Sequence, residues 1–276
     1  MSADTGTRVA IVGGGVMGEA LLTAVLAGGW PPNELIVAER HTPRAQDLAR
    51  MYEVETIQDV PTAVADRDVV LCAVKPQDMV ETLGQIAPRL KPGAIFVTVA
   101  AGMPASVYEE HLGPEAIVVR AMPNTPALVS AGATAIAAGT HARDGHLDVV
   151  REILAKTGLV VTVKEDEIDA VIAVSGSGPA YFFAFVEALT DAGVAQGLDR
   201  EESSLLAQQT LIGAAQLLKD SGESPRTLRE RVSSPGGTTL AALEAMRKAG
   251  LNDVVSAGAR AAVQRSRSLA EENRAS

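Results

Sequence analysis

The sequence predicts an α/β protein in two parts, a parallel sheet covered by helices followed by an all-helical domain. Three observations carry that prediction. Continuous apolar strand runs alternate with helical spacing over residues 1–163, the pattern of βα units feeding a sheet buried on both faces. Strand patterns stop at Lys164, and later segments read as helices separated by Gly, Ser and Pro. A glycine-rich run also joins the first strand to the first helix.

Arg8–Gly13 (RVAIVG) reads as a buried strand and Glu19–Ala27 as the helix after it. Leu35–Ala38 is a second strand, with a helix through Arg44–Tyr52. Val69–Val74, Ile95–Val99, Ile117–Arg120 and Leu159–Val163 follow as strands, with Met79–Leu90 and Leu147–Lys156 among the intervening helices. Beyond them, helices are expected at Glu165–Val174, Pro179–Gln196, Arg200–Ser221, Thr238–Ala249 and Asn252–Glu272. The segments Ser175–Gly178, Gly197, Gly222–Pro225, Ser233–Gly237 and Gly250 separate them. The change of class near residue 163 divides the chain into domains 1–163 and 164–276.

Composition narrows the function. Apolar residues make up 47% of the 276 residues, enough for a substantial core. Asp and Glu outnumber Lys and Arg by 34 to 24, so the chain has no evident means of binding nucleic acid or anionic membrane. Arg265 and Arg267 read as part of a solvated helix face. The single cysteine, Cys72, excludes an intrachain disulfide and a cysteine-rich zinc site, and reads as a small buried apolar residue. The polar start Met1–Gly6 does not resemble a signal peptide, and no apolar run is expected to span a bilayer. A soluble cytoplasmic protein is expected.

Gly13-Gly14-Gly15-Val16-Met17-Gly18 places glycines at the three positions of GxGxxG, after a strand and opening a helix. Gly13 suits the tight turn, Gly15 lets a pyrophosphate approach the backbone, and Gly18 allows close helix–strand packing. The helix N-terminus offers N–H groups to the phosphates. This is the signature of a Rossmann dinucleotide-binding domain. Glu39 ends the second strand where an acid usually grips the adenosine ribose of NAD. Arg40 and Arg44 follow it and would suit the 2′-phosphate of NADP, although Arg44 reads equally well as a solvated helix charge. Lys75-Pro76 sits at the carboxyl edge of the sheet, and the Asn124 amide, in a loop stiffened by Pro123 and Pro126, could meet a nicotinamide carboxamide or simply brace a turn.

Ser175-Gly176-Ser177-Gly178-Pro179 leads into a helix, Tyr181–Leu189, that is apolar almost all round. Such a helix must be covered on every side, and a second subunit is the simplest cover. Ser233-Ser234-Pro235-Gly236-Gly237-Thr238-Thr239 puts glycine amides and two hydroxyls at another helix N-terminus, a ready anion site or a well-capped loop.

Taken in order and spacing, GGGVMG, AVKP, AMPN, SGSGPAY and SSPGGTT resemble the pyrroline-5-carboxylate reductase family over about Arg8–Ser268. The resemblance implies an N-terminal Rossmann domain, an all-helical dimerisation domain, homodimers and in many members a decamer of five dimers. It also implies NADPH preferred over NADH, with proline made from a cyclic imino acid. Carried onto this chain, it places Gly13, Gly15, Val16, Met17, Lys75, Pro76 and Asn124 against the cofactor. Ser175, Gly236, Gly237, Thr238 and Thr239 would hold the substrate carboxylate, with Ser175 and Thr239 closest to the chemistry. Ile172 departs from the pattern, since members often have Thr there.

An iminium carbon accepts hydride without an obligatory general acid, which suits a chain whose His41, His111, His141 and His146 all read as surface residues. Positioning two bound reactants can supply ~7–11 kcal/mol of the barrier. The nearest rival, a β-hydroxyacid dehydrogenase, calls for a lysine early in the helix after Ser175–Gly178, and Tyr181–Asp191 contains none. A dinucleotide-sensing binding protein would have no use for the SSPGGTT loop.

Overall fold

The computed structural model describes residues 6–275, so the polar stretch Met1–Thr5 and the final Ser276 lie outside the described residues. The chain runs β1 (Val9–Val12), α1 (Val16–Ala27), β2 (Leu35–Ala38), α2 (Thr42–Tyr52), β3 (Glu55–Ile57), α3 (Val60–Val64), β4 (Val69–Cys72) and α4 (Pro76–Ile86). It continues with β5 (Ile95–Thr98), α5 (Ala105–Leu112), β6 (Ile117–Met122), β7 (Gly132–Ala138), α6 (Asp144–Leu154) and β8 (Gly158–Thr162). After these come α7 (Ile168–Val171), a π-helical turn (Ile172–Gly176), α8 (Gly178–Ala195), α9 (Arg200–Ser221), α10 (Pro225–Arg231), α11 (Thr238–Lys248) and α12 (Leu251–Ala275).

The strands form one sheet in the order β3-β2-β1-β4-β5-β6-β7-β8. Side-chain alternation with period two divides its core between the faces. Val9, Ile11, Val37, Leu71 and Val97 pack with Leu21, Leu22 and Val25 of α1 and Val150, Ile153 and Leu154 of α6. Ala10, Val12, Ile36, Val70, Cys72 and Phe96 pack with Met79, Leu83 and Ile86 of α4 and Tyr108 of α5. Burial pushes the Cys72 thiol up to about 12, as expected of a small apolar core residue and not of a redox centre.

Two strands escape the sequence pattern and one corrects it. Glu55–Ile57 is only three residues long. Gly132–Ala138 reads GATAIAA, too rich in alanine to signal a strand, yet it pairs antiparallel with β6 from Val119↔Ala138 to Met122↔Ala135. The sheet is therefore mixed, not parallel throughout. In the helical half, α10 was also hidden, because Gly222–Pro225 reads as a break. In fact Ser224 caps the new helix by accepting from Thr227 N–H, with Pro225 in its first turn.

The chain clusters into two compact units, residues 1–177 with 261–276, and residues 178–260. The change of class at 163 thus differs from the packing boundary. Ile168 joins a cluster with Ala135 and Ala137, which keeps α7 with the sheet. The end of α12 belongs there as well. Ser266 Oγ donates to Asp169 at 2.7 Å, Arg267 Nε reaches the same carboxylate at 3.4 Å, and Asn273 Nδ2 donates to the Gly102 carbonyl at 3.0 Å. Arg267, 69% exposed, keeps the solvated helix face that the sequence predicts, while Ser266 and Asn273 make the shorter contacts.

Within unit 178–260, α8 and α9 approach closely through small residues. A Cβ at Gly193 would stand 2.1 Å from Ser203 Oγ, which itself donates to the Thr190 carbonyl at 2.8 Å. Few apolar side chains find cover inside this unit: Phe182, Phe183, Leu205, Ile212 and Val255 are each about three-fifths exposed. By length and composition alone the segment Glu165–Ala195 is apolar enough to cross a membrane, a test that a helix covered by protein passes equally.

Helices α1 and α2 are joined by a polar knot. Arg44 reaches Glu19 Oε2 at 2.6 Å, and the Tyr52 hydroxyl donates to Glu19 Oε1 at 2.7 Å. The Arg44 hydrogen bond, helped by Tyr52, holds Glu19 below its ordinary 4.5, with burial opposing. Its contribution is therefore fully present above the unfolded pKa and is lost as pH falls through the lower folded value. Thermal midpoints followed from pH 6 to pH 3 should fall more steeply for the wild type than for Glu19→Gln. Parallel curves would remove this carboxylate from the acid limb.

Backbone conformation supplies a second expectation. Gly158 has φ +136°, and a Cβ there would stand 2.1 Å from the Gly132 carbonyl oxygen. Gly158→Ala should lower the thermal midpoint by several degrees, given ~1–3 kcal/mol of backbone strain plus forced separation of β7 from β8. Gly84, on the exposed side of α4, has nothing within 4 Å of its Cβ position. Gly84→Ala should raise the midpoint by about 1–4 °C, from ~0.5–1 kcal/mol of recovered backbone entropy. Equal midpoints for the two variants would contradict this reading.

Candidate active site

β1 and β4 are neighbours although β2 and β3 lie between them in sequence, with β2 on the far side of β1. This reversal of strand order opens a crevice at the carboxyl ends of the strands, where open α/β sheets bind ligands. A cleft of about 700 Å³ lies there, lined by Gly13, Gly15, Val16, Met17, Glu39, Arg40 and Lys75 among others. Seven of the residues expected at the cofactor therefore converge on one cleft.

The glycine run is shaped as its spacing predicts. Gly13 takes φ +97°, and a Cβ there would press on the Ala73 carbonyl at 3.0 Å. A Cβ at Gly18 would stand 1.8 Å from the Gly13 carbonyl oxygen, so α1 can approach β1 only with glycine at that position. Gly15 is the N-cap of α1, has no side-chain cap and has open space where its Cβ would be. Unblocked helix-start amides beside open space fit the pyrophosphate of a dinucleotide.

The charged residues at the end of β2 differ from expectation. Glu39 is only 7% exposed; Oε2 accepts the Gly14 N–H and Oε1 the His41 N–H, both at 2.8 Å. Arg44, neither free nor simply solvated, donates from Nε to the Gly14 carbonyl at 2.7 Å. Arg40 is the open one, with a side chain 68% exposed and a 3.4 Å contact to Asp78. Lys75 caps α4 at the rim, and Pro76 begins that helix without requiring an N–H.

Asn124 does not line this cleft. Its Nδ2 donates to the Ser175 carbonyl at 3.0 Å, and its Oδ1 accepts the Ala133 N–H at 2.8 Å. The amide thus braces β7 and the turn carrying Ser175. That turn is π-helical, closed by Ser177 N–H donating to the Ile172 carbonyl at 2.8 Å. A π turn inserted in a helix often marks a functional position. Ser175 Oγ donates to the Val171 carbonyl at 3.1 Å, while Ile172 packs in the apolar cluster with Met122 and Val171.

The 233–239 loop belongs to the other unit. Gly236 has φ +74°, Gly237 N–H donates to the Ser234 carbonyl at 2.9 Å, and a Cβ on Gly237 would collide with Ser234 Oγ at 2.5 Å. Gly237 caps α11 without a side chain, so the α11 N-terminus is open, with Thr238 and Thr239 exposed in its first turn. The loop has the form of an anion site.

Sequence reasoning missed His41, Gln58, Asp78 and Gln85, which also line the cleft. Asp78 carried one available signal, three residues after Lys75 in the first turn of α4. His41 lines the cleft and is exposed, as its sequence context predicts. His111 and His146 make local contacts, to the Val107 carbonyl and the Arg143 N–H.

Comparison with known proteins places this geometry. Residues 165–269 match the family described as pyrroline-5-carboxylate reductase dimerisation, and residues 8–102 the one described as NADP oxidoreductase, coenzyme F420-dependent. A pyrroline-5-carboxylate reductase of Pseudomonas aeruginosa is 40% identical over 96% of this chain and 97% of its own. That of Mycobacterium leprae is 43% identical over 95% and 96%. Among solved structures, one from Coxiella burnetii superposes with TM-score 0.91 at 34% identity, covering 95% of this chain and 98% of its own. The Plasmodium falciparum enzyme, solved with NADP bound, gives 0.82 at 27%, covering 98% and 100%. A 3-hydroxyisobutyrate dehydrogenase of Mycobacterium tuberculosis, at 15% identity and TM-score 0.52, shares the fold alone. By relatedness along nearly its whole length, the chain belongs to the pyrroline-5-carboxylate reductase family.

Proposed function

We propose that this chain reduces 1-pyrroline-5-carboxylate to L-proline, the final step of proline biosynthesis, with NADPH preferred to NADH, as a cytoplasmic homodimer able to assemble further. The observation that carries the reading is relatedness to named reductases over 96% of the chain, joined to a glycine-lined cleft at the β1/β4 reversal. The absence of lysine from Tyr181–Asp191 weighs against a β-hydroxyacid dehydrogenase.

The nicotinamide cofactor supplies the hydride. The N-terminal amides of α1 would hold its pyrophosphate, with Gly13, Gly15 and Gly18 leaving the room. The α11 amides of Gly237 and Thr238, with the Thr239 hydroxyl, would grip the substrate carboxylate, and the family resemblance assigns Ser175 to the substrate as well. Ile172 has no hydroxyl, so the ring nitrogen would take its proton from Ser175, Tyr181 or water, or would arrive already protonated. Most of the acceleration comes from alignment of two bound reactants.

Thr239→Ala tests the carboxylate grip. Loss of one charge-assisted contact costs roughly 1.5–3 kcal/mol, about tenfold to a hundredfold in kcat/KM for the imino acid. NADPH affinity by fluorescence titration should stay nearly unchanged, and Thr239→Ser should keep most activity. A loss of cofactor affinity in the alanine variant would move this loop to the cofactor.

Cofactor choice is tested at Arg40. Arg40→Asp should reduce kcat/KM for NADPH far more than for NADH, and equal losses would remove Arg40 from the 2′-phosphate site.

The exposed phenylalanines of α8 predict an obligate oligomer. Light scattering at micromolar protein should give at least the mass of a dimer, with a tenfold multiple marking a decamer. Phe185→Asp should lower the mass or prevent folding. A fully active wild-type monomer would refute it.

A further inference from the structure

We propose that Glu39 and Arg44 are positioning residues that clamp the two peptide groups flanking Gly14, and that Glu39 does not read the adenosine ribose. This rests on the nicotinamide-cofactor reading above and assigns a division of labour within that site. Glu39 occupies the position where an acid normally accepts ribose hydroxyls. In this chain its two oxygens take the Gly14 and His41 N–H groups at 2.8 Å each. The carboxylate is nearly buried, and space behind Gly14 is closed, since a Cβ there would meet Leu48 Cδ1 at 2.6 Å and Glu39 Oε2 at 3.0 Å. Turning toward a ribose would leave a buried donor unpaired.

Arg44 grips the other side of the same residue. Its Nε donates to the Gly14 carbonyl at 2.7 Å, and its NH2 group is anchored on Glu19 at 2.6 Å, which the Tyr52 hydroxyl holds in turn at 2.7 Å. A trans peptide is planar, with its C=O and the following N–H pointing in opposite directions. Holding the Gly14 carbonyl toward Arg44 therefore aims the Gly15 N–H away from it. Gly15 is exposed, with nothing within 4 Å of its Cβ position. The clamp thus presets one amide of the diphosphate cradle.

Discrimination between NADPH and NADH falls to what remains. Arg40 is mostly exposed and meets His41 and Asp78 at 3.4 Å, contacts loose enough to yield to a phosphate. A clamp acts on the diphosphate that both cofactors carry, so its loss weakens both by the same factor. A ribose reader acts chiefly on NADH.

The test is fluorescence titration of the full-length protein with NADPH and with NADH, alongside kcat at saturating cofactor. Glu39→Gln and Arg44→Met should each raise both dissociation constants tenfold to a hundredfold, with the NADPH/NADH ratio within about twofold of wild type. The kcat at saturation should also stay within about twofold, a split that general loss of structure would not produce. Arg44→Lys, which keeps the charge but lacks the fork that reaches the Gly14 carbonyl and Glu19 from separate nitrogens, should recover part of the loss. If Glu39→Gln weakens NADH at least tenfold more than NADPH, Glu39 reads the ribose and the proposal falls. If Glu39→Gln fails to fold, the Arg44 pair decides: unchanged affinities in Arg44→Met overturn the clamp. Wild-type protein that binds neither cofactor would overturn the cofactor reading, and this proposal with it.

Discussion

The Gly13–Gly18 approach is the contact on which the cofactor half depends. With 1.8 Å between a Gly18 Cβ position and the Gly13 carbonyl, any side chain would push α1 off β1. That helix carries Leu21, Leu22 and Val25 into the core on one face of the sheet. The same close approach sets its N-terminal amides at the carboxyl ends of the strands. Core packing and the placement of the α1 N-terminal amides are therefore coupled through one glycine.

Around that contact, polar groups do what apolar packing cannot. Hydrophobic burial is non-directional and tolerates small rotations of α1 and α2, whereas hydrogen bonds do not. The Arg44–Glu19–Tyr52 knot fixes the relation of the two helices, and the Glu39 carboxylate ties the glycine loop to the end of β2. Asn124 does the same for the π turn at Ser175, joining it to the start of β7. In the Glu39 and Asn124 cases a side chain satisfies backbone groups that an irregular turn leaves without a ladder partner.

The helical unit follows a different logic. Its α8 and α9 pack through Gly193, Thr190 and Ser203, small residues that bring backbones together but bury little apolar area. The large side chains point elsewhere and remain exposed. An apolar surface of this kind resembles half of an interface more than the outside of a monomer, in keeping with the match to a dimerisation family. The membrane-like hydropathy of Glu165–Ala195 has the same source, because cover by another protein surface and cover by lipid select similar side chains.

Much of this was legible in the residues themselves. Period-two and continuous apolar runs located six strands, and GxGxxG placed the cradle, because spacing and steric room are local properties. The short β3, the alanine-rich β7 and α10 after its Gly and Pro residues escaped, since pairing and capping partners formed them and propensity did not. Side-chain commitments were equally beyond reach. Glu39, Arg44 and Asn124 have the residue types of ligand-binding groups, and only the folded chain shows their hydrogen bonds turned inward to Gly14, Ser175 and Ala133. The sequence by itself determined which residues could meet a dinucleotide; the tertiary structure decided which are still free to, because a donor or acceptor already paired in a buried place cannot turn to a ligand without leaving its partner unsatisfied.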